Sequence, residues 1–209
     1  RNNSEGNALN STGFAEVTFF DGFKFTFNVG IGLDETRSTS TKNPFYGQFV
    51  PNGGTASKEH SRVYYTNLQQ LLTYDKTFAD VHHVSALLGH ESYTTTSYVV
   101  GASKSRMFSN DNAELSGSVV DGENAYSSKS MYNNEGYLGR VQYDYANRIF
   151  LNASFRRDAS SRFHPDNRWG NFWSLGAAWL INEESWFNAP WMDMLKFKAS
   201  YGSQGNDAI

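Results

Sequence analysis

The chain contains no cysteine, which excludes a disulfide scaffold and thiol chemistry, although it fixes no compartment. Proline is scarce, 4 in 209 residues, so few positions forbid regular backbone pairing. No run of about 18 apolar residues occurs, and no transmembrane helix is therefore encoded. Neither charge sign dominates. The 18 Lys and Arg against 21 Asp and Glu leave a net charge of -3, so no basic field points to nucleic acid. There is no Gly-rich phosphate loop, nucleophile elbow or zinc-ligand spacing. From these absences no enzyme, cofactor or metal site is expected. No signal peptide is visible, and the chain opens on Arg1-Asn2-Asn3 and closes on Gly202 to Asp207 in what read as loops. An internal piece of a longer polypeptide is the expectation.

What is present is alternation. From Tyr137 to Phe155 the odd positions Tyr137, Val141, Tyr143, Tyr145, Ile149, Leu151, Ala153 and Phe155 are apolar or aromatic. The even positions Arg140, Gln142, Asp144, Asn152, Ser154 and Arg156 are polar. Successive strand side chains point to opposite faces, so one face is apolar and the other charged. The short break at Ala146-Asn147-Arg148 makes the two runs a hairpin. The same design recurs. Phe23, Phe25, Phe27, Val29, Ile31 and Leu33 oppose Lys24, Thr26, Asn28 and Asp34. In a third run Tyr64, Leu68, Leu72 and Tyr74 oppose Asn67, Gln69 and Thr73, and a fourth carries Val84, Ala86 and Leu88. Later runs place Trp173, Leu175, Ala177, Trp179 and Ile181, then Leu195, Phe197, Ala199 and Tyr201, on the apolar side. Eight strands are expected, at about 12–19, 22–35, 62–74, 81–101, 136–145, 148–157, 171–181 and 194–202.

The connections alternate short and long. Polar stretches from Thr36 to Ser61, Ala102 to Ser130 and Asp158 to Trp169 read as long loops, the second with an Asp-Gly-Glu-Asn turn at 121–124. A Trp- and Phe-rich connector follows Asn182 and is expected to hold one helical turn. Aromatics gather toward strand ends. Short turns on one side, long loops on the other, apolar-out and polar-in strands and aromatic girdles are the pattern of an antiparallel transmembrane β-barrel. A sheet that spans lipid must close to pair its backbone. The fold class expected is therefore all-β, about eight strands forming an arc of a larger barrel. The alternatives are a passive porin and a secreted glycan-binding β-sandwich.

The segment Ala153-Ser154-Phe155-Arg156-Arg157-Asp158-Ala159-Ser160-Ser161-Arg162-Phe163 closely resembles a stretch typical of the SusC/RagA family of TonB-linked outer-membrane proteins. The resemblance extends to Asn133 to Val141, Tyr143-Asp144-Tyr145, Asn167 to Phe172, Ala178 to Ile181, Leu195 to Gly202 and Leu88-Gly89-His90-Glu91. It is specific from about Asn133 to Asn206 and weaker but colinear from Thr12 to Gly101. Ala159 replaces the usual Gly of an Asp-Gly-Ser-Ser element, and Trp173 stands where Pro is common. The resemblance implies a Gram-negative outer-membrane barrel of about twenty-two strands with an N-terminal plug. It implies TonB-driven import of oligosaccharides or peptides and a SusD-like surface lipoprotein partner, and it admits a dimer of transporter–lipoprotein pairs. The plug, the TonB-contacting region and the signal peptide are expected to lie outside this chain, which alone would transport nothing.

Several residues invite a site reading. His90 and Glu91, like His82 and His83, are adjacent on a strand and face opposite ways, so neither pair grips one ion without a bulge. Arg156, Arg157, Asp158 and Arg162 suit either an anionic ligand or a charge network at the loop base. Trp169 and His164 read as residues of an outside loop where a ring can stack on a sugar. Trp169, His164 and Arg162 are thus the substrate-binding candidates. Trp186, Phe187 and Trp191 read as interface anchors. The triplets Asn10-Ser11-Thr12 and Asn152-Ala153-Ser154 match a glycosylation site by chance.

Overall fold

The computed structural model describes residues 1–121 and 125–205. Nine strands form one antiparallel sheet: β1 (Asn2–Phe19), β2 (Phe23–Lys42), β3 (Thr55–Phe78), β4 (His82–Met107), β5 (Ser118–Asp121), β6 (Tyr126–Tyr145), β7 (Ile149–Ser160), β8 (Trp169–Leu180) and β9 (Lys196–Ser203). The order is that of the chain, β1-β2-β3-β4-β6-β7-β8-β9, with β5 paired to the outer end of β4. Apart from β5, each strand pairs with the next one along the chain, in the manner of a meander. Two compact units divide the strands between them. One holds Arg1–Ser11, Gly30–Thr66 and Thr94–Tyr132; the other holds Thr12–Val29, Asn67–Tyr93 and everything from Asn133 on.

The short turns are built from left-handed backbone. Ala79 and Asp80 (φ 48° and 59°) join β3 to β4, and Ala146 and Asn147 (φ 51° and 56°) join β6 to β7. Two consecutive left-handed residues make the hairpin turn whose twist matches that of the flanking strands. The Asp144 carboxylate accepts the Asn147 N–H at 2.7 Å, and the Arg148 N–H closes on the Tyr145 carbonyl at 2.9 Å.

The strands outrun their expected ends, mostly on the long-loop side. The stretch 2–11 is strand rather than loop, β2 continues to Lys42, β3 starts at Thr55, β4 continues to Met107 and β6 starts at Tyr126. The alternation disappears there because Ser, Thr and Asn occupy both faces, while backbone pairing continues. The four-residue β5 also lies inside the expected second loop, too short to show a period, and brings the count to nine. Gly122 to Asn124 of the expected Asp-Gly-Glu-Asn turn, and Asn206 and Asp207 of the expected closing loop, lie outside the described residues. The Trp-rich connector does contain one 3-10 turn, Ile181–Glu183.

Among the described residues no second layer covers the apolar face. Among the described residues the buried apolar side chains are Pro44, Ala56 and Met107. Leu88 (64% exposed), Leu175 (55%), Val141 (51%) and Leu151 (46%) stand on the open apolar face. A β-sandwich would interdigitate these side chains with a facing sheet, so the sandwich alternative is overturned. In the second unit aromatic rings line both borders of this apolar face. On the short-turn side Phe19 stacks on Phe23 at 6.0 Å, Phe23 meets Tyr74 at 4.6 Å and His82 meets Tyr145 at 5.2 Å. Trp179 meets Trp186 at 6.2 Å along the same border. On the other side Tyr137 stacks on Trp169 at 6.0 Å, and Trp173 meets Tyr201 edge-on at 5.7 Å. From Tyr145 to Tyr137 the strand rises about 27 Å, which after tilt spans most of an apolar band about 25 Å tall.

Candidate functional site

The polar face of the second unit carries a continuous line of hydrogen bonds. Asn28 on β2 donates to the Gln69 carbonyl on β3 at 2.8 Å, and the Gln69 amide donates to Glu91 on β4 at 2.6 Å. The other oxygen of Glu91 accepts from Arg156 Nη2 on β7 at 2.9 Å. Arg156 Nε also lies 2.8 Å from both oxygens of Asp158. Between β4 and β7 runs β6, and the side chain crosses it at Gly136, which is in register with Asp158. A Cβ there would meet the Asp158 carboxylate and lie 3.2 Å from Arg156 Nη2. The absent side chain is what opens the crossing. Nearer β1, Lys24 pairs with Glu16 at 3.2 Å. Beside Arg156 opens a cleft of about 350 Å³ lined by Ser154, Phe172, Ser174 and Ser200, with Ser154 and Ser174 bonded at 2.7 Å.

The first unit repeats the device on its own polar face. The Tyr65 ring of β3 lies across Gly32 of β2, and its hydroxyl donates to Asn10 of β1 at 2.5 Å. Tyr126 of β6 lies across Gly101 of β4 and donates to Glu59 of β3. The Glu59 carboxylate holds the Tyr126 phenol above its ordinary value, mainly through that hydrogen bond. Ser38, Ser40, Ser57, Glu59, Ser103 and Tyr126 line a cleft of about 690 Å³. Both polar faces offer hydroxyls, amides and paired charges, which bind polar solutes through hydrogen bonds.

No family model matches the sequence. The chain is similar to TonB-dependent receptor P3 of Formosa agariphila, 31% identical over 94% of this chain and 20% of that protein. It is similar to TonB-dependent receptor SusC of Bacteroides thetaiotaomicron, 39% identical over 74 residues, 35% of this chain and 7% of SusC. In structure it superposes on the RagAB peptide transporter with a TM-score of 0.90 and 26% identity, over 100% of this chain and 24% of that one. The chain belongs with the TonB-dependent receptors of the SusC/RagA type. It spans about a fifth of the length of the curated receptors it matches over most of its own length. As an arc of a SusC/RagA-type barrel, its apolar face is the barrel exterior and its polar face the lumen wall.

Within this SusC/RagA-type wall the singled-out residues separate by face. His90 faces outward, where Nδ1 lies 2.7 Å from Gln70 and Nε2 lies 3.0 Å from Glu135, while Glu91 faces the lumen. His82 bonds outward to the Tyr143 hydroxyl at 2.7 Å, and His83 meets Asp75 at 3.1 Å. Among the described residues no group of three metal-ligating side chains converges. Arg156 and Arg157 likewise divide, Arg156 to the lumen and Arg157 outward over the Trp169 ring at 5.0 Å.

The substrate-binding candidates divide between a strand and a loop. Trp169 is the first residue of β8 and not a loop residue, and its ring belongs to the outward girdle with Tyr137. His164 caps the 3-10 turn Pro165–Asn167, accepting the Asp166 N–H at 3.4 Å, and stands exposed in the loop. Arg162 is exposed in the same loop, its N–H bonded to Ser160 Oγ at 3.3 Å. Sequence reasoning missed Gly136, Gly32 and Gly101 as crossings and Gln69 as the link between Asn28 and Glu91. Glycines at polar-face positions were the available signal, and only the register between strands gives it meaning.

Proposed function

We propose that this chain forms part of the wall of a Gram-negative outer-membrane importer that takes up oligosaccharides or peptides through TonB, with a SusD-like surface lipoprotein. The single observation that carries the reading is the sheet's two-sidedness: an uncovered apolar face bordered by aromatic girdles, backed by a hydrogen-bonded polar face. Such a wall conducts a polar solute through lipid without chemistry of its own. The similarity to a structure named a peptide transporter supports the peptide branch, and the similarity to receptors named TonB-dependent supports energised uptake over a passive pore. The plug and the TonB-contacting region belong, on this reading, to other parts of the polypeptide.

The test uses the protein carrying this segment in its own host. It should fractionate with the outer membrane, resist extraction by salt and co-purify with a surface lipoprotein. A deletion strain should lose growth on a defined peptide or oligosaccharide source and regain it on complementation. Uptake that persists after TonB is removed would return the reading to a passive porin.

A further inference from the structure

At the upper girdle of the exterior, Arg157 stands outside the ion-pair networks of the described residues. At the upper girdle the outward polar groups mostly satisfy one another: His90 takes Gln70 and Glu135, and the Tyr137 hydroxyl donates to Glu135 at 3.0 Å. Arg157 does not join them. Among the described residues it has no carboxylate partner, and its guanidinium lies over the face of Trp169. Both residues are exposed. Arg157 is in register with Tyr137 on β6 and Asn171 on β8. One outward step toward the short turns lie Phe155 and Trp173, paired with each other and both exposed to the lipid side. The guanidinium therefore sits on the border between the apolar band and water. The adjoining β7–β8 loop adds Arg162 and Arg168 against the single acid Asp166.

A planar guanidinium held over an indole presents its edge N–H groups outward, in the fork geometry that suits phosphate oxygens. The stack limits the motion that binding would otherwise have to freeze. Charge complementarity at this depth selects an anion fixed at the membrane surface, since basic residues there are drawn to anionic headgroups. We infer that Arg157, stacked on Trp169 beside Tyr137, is an exterior site for the phosphate of an outer-leaflet glycolipid. This assigns Trp169 to lipid and not to the transported solute. The inference rests on the membrane-spanning reading given above.

The whole protein carrying this segment, purified in dodecyl maltoside, provides the test. Its melting temperature is followed on adding diphosphoryl lipid A, a neutral glycolipid with matched acyl chains, or inorganic phosphate. Lipid A should raise the melting temperature by several degrees, because a ligand that binds only the folded state stabilises it. The neutral glycolipid should do much less, and inorganic phosphate nothing. Arg157→Gln should lose most of the lipid A response and Arg157→Lys should keep part of it. Lys198→Gln should keep all of it, because Lys198 pairs with Ala178, on the polar face between outward Ala177 and Trp179. Equal responses to lipid A and the neutral glycolipid, or unchanged responses in both Arg157 variants, would overturn the site. A shift with inorganic phosphate alone would overturn the lipid assignment. If Arg157→Gln does not fold, wild type against Arg157→Lys still decides. A protein that needs detergent yet ignores lipid A would sink this inference and leave the membrane-spanning reading standing.

Discussion

Arg156 reaches Glu91 across an intervening strand, 2.9 Å from Nη2 to the carboxylate, by passing over Gly136. Arg156 lies on β7 and Glu91 on β4. The contact joins strands that share no backbone hydrogen bonds with each other, and Tyr65 and Tyr126 do the same across Gly32 and Gly101. Each crossing adds a tie to the lumen wall that the β-ladder cannot supply.

The first expectation concerns Gly136 itself. Valine there would push against the Asp158 carboxylate and the Arg156 guanidinium, so either the pair or the strand register must yield. Overpacking of this kind costs about 1–3 kcal/mol. Urea unfolding of the whole protein in micelles should show that loss, and adding Asp158→Ala should recover part of it. A Gly136→Val protein as stable as wild type would mean that the crossing is not tight.

The Arg156–Glu91 pair itself should be worth little. Its side chains are 44% and 29% exposed, and ion pairs in such settings contribute about 0.2–1 kcal/mol. A double-mutant cycle with Arg156→Gln and Glu91→Gln should return a coupling energy in that range. A much larger coupling would show that the lumen at this level is drier than the exposure implies. The pair then positions the wall more than it stabilises it.

How much of this was legible beforehand differs by face and by depth. Within the apolar band the outward Phe25, Leu151, Leu175 and Trp179 alternate with inward Lys24, Asn152, Ser174 and Ala178, because lipid and water select opposite residues. Beyond the girdles both faces meet water, so nothing in Ser38, Ser40 or Ser57 marks them as strand. That is why β2 to β4 ran on past their expected ends and why Trp169 read as a loop residue. The cross-strand line from Asn28 to Asp158 was illegible for a different reason. It depends on register, and no single strand records which residue lies beside it.

A turn offers a third expectation. Ala146 holds a left-handed backbone (φ 51°) at the tip of the β6–β7 hairpin, a conformation that costs an ordinary residue about 1–2 kcal/mol and glycine almost nothing. Ala146→Gly should stabilise the protein by about 0.5–1 kcal/mol after the greater freedom of glycine in the unfolded chain is subtracted. The midpoint of urea unfolding measures it. Destabilisation would mean that the Ala146 methyl group makes a contact worth more than the backbone strain.

Lys76, at the short-turn end of β3, pairs with Asp21 in the β1–β2 turn at 2.7 Å. The hydrogen bond that the ammonium donates to Asp21 holds it above its ordinary value of 10.5. A cation whose folded-state value is raised adds stability that is fully present below the unfolded value and lost as pH rises through the folded one. The contribution should therefore be intact at neutral pH and fade only in strongly alkaline solution. Asp21→Asn should remove that alkaline fall, and a wild-type protein whose stability is flat there would exclude the linkage.

The two-faced wall makes the sharpest demand. Leu151 and Asn152 are neighbours on β7, one outward and one toward the lumen, close to the middle of the span between the girdles. Arginine on the lipid face near the midplane of such a barrel costs about 2–4 kcal/mol, whereas a lumen position tolerates it. Leu151→Arg should therefore lower unfolding stability in lipid bilayers by that amount, and Leu175→Arg on β8 should behave alike. Asn152→Arg should fall within about 0.5 kcal/mol of wild type, the usual range for an unremarkable surface change. In a water-soluble sheet the order would differ, because Leu151 and Asn152 would both face solvent or one would enter a core. Equal costs for Leu151→Arg and Asn152→Arg would mean that lipid does not touch the apolar face.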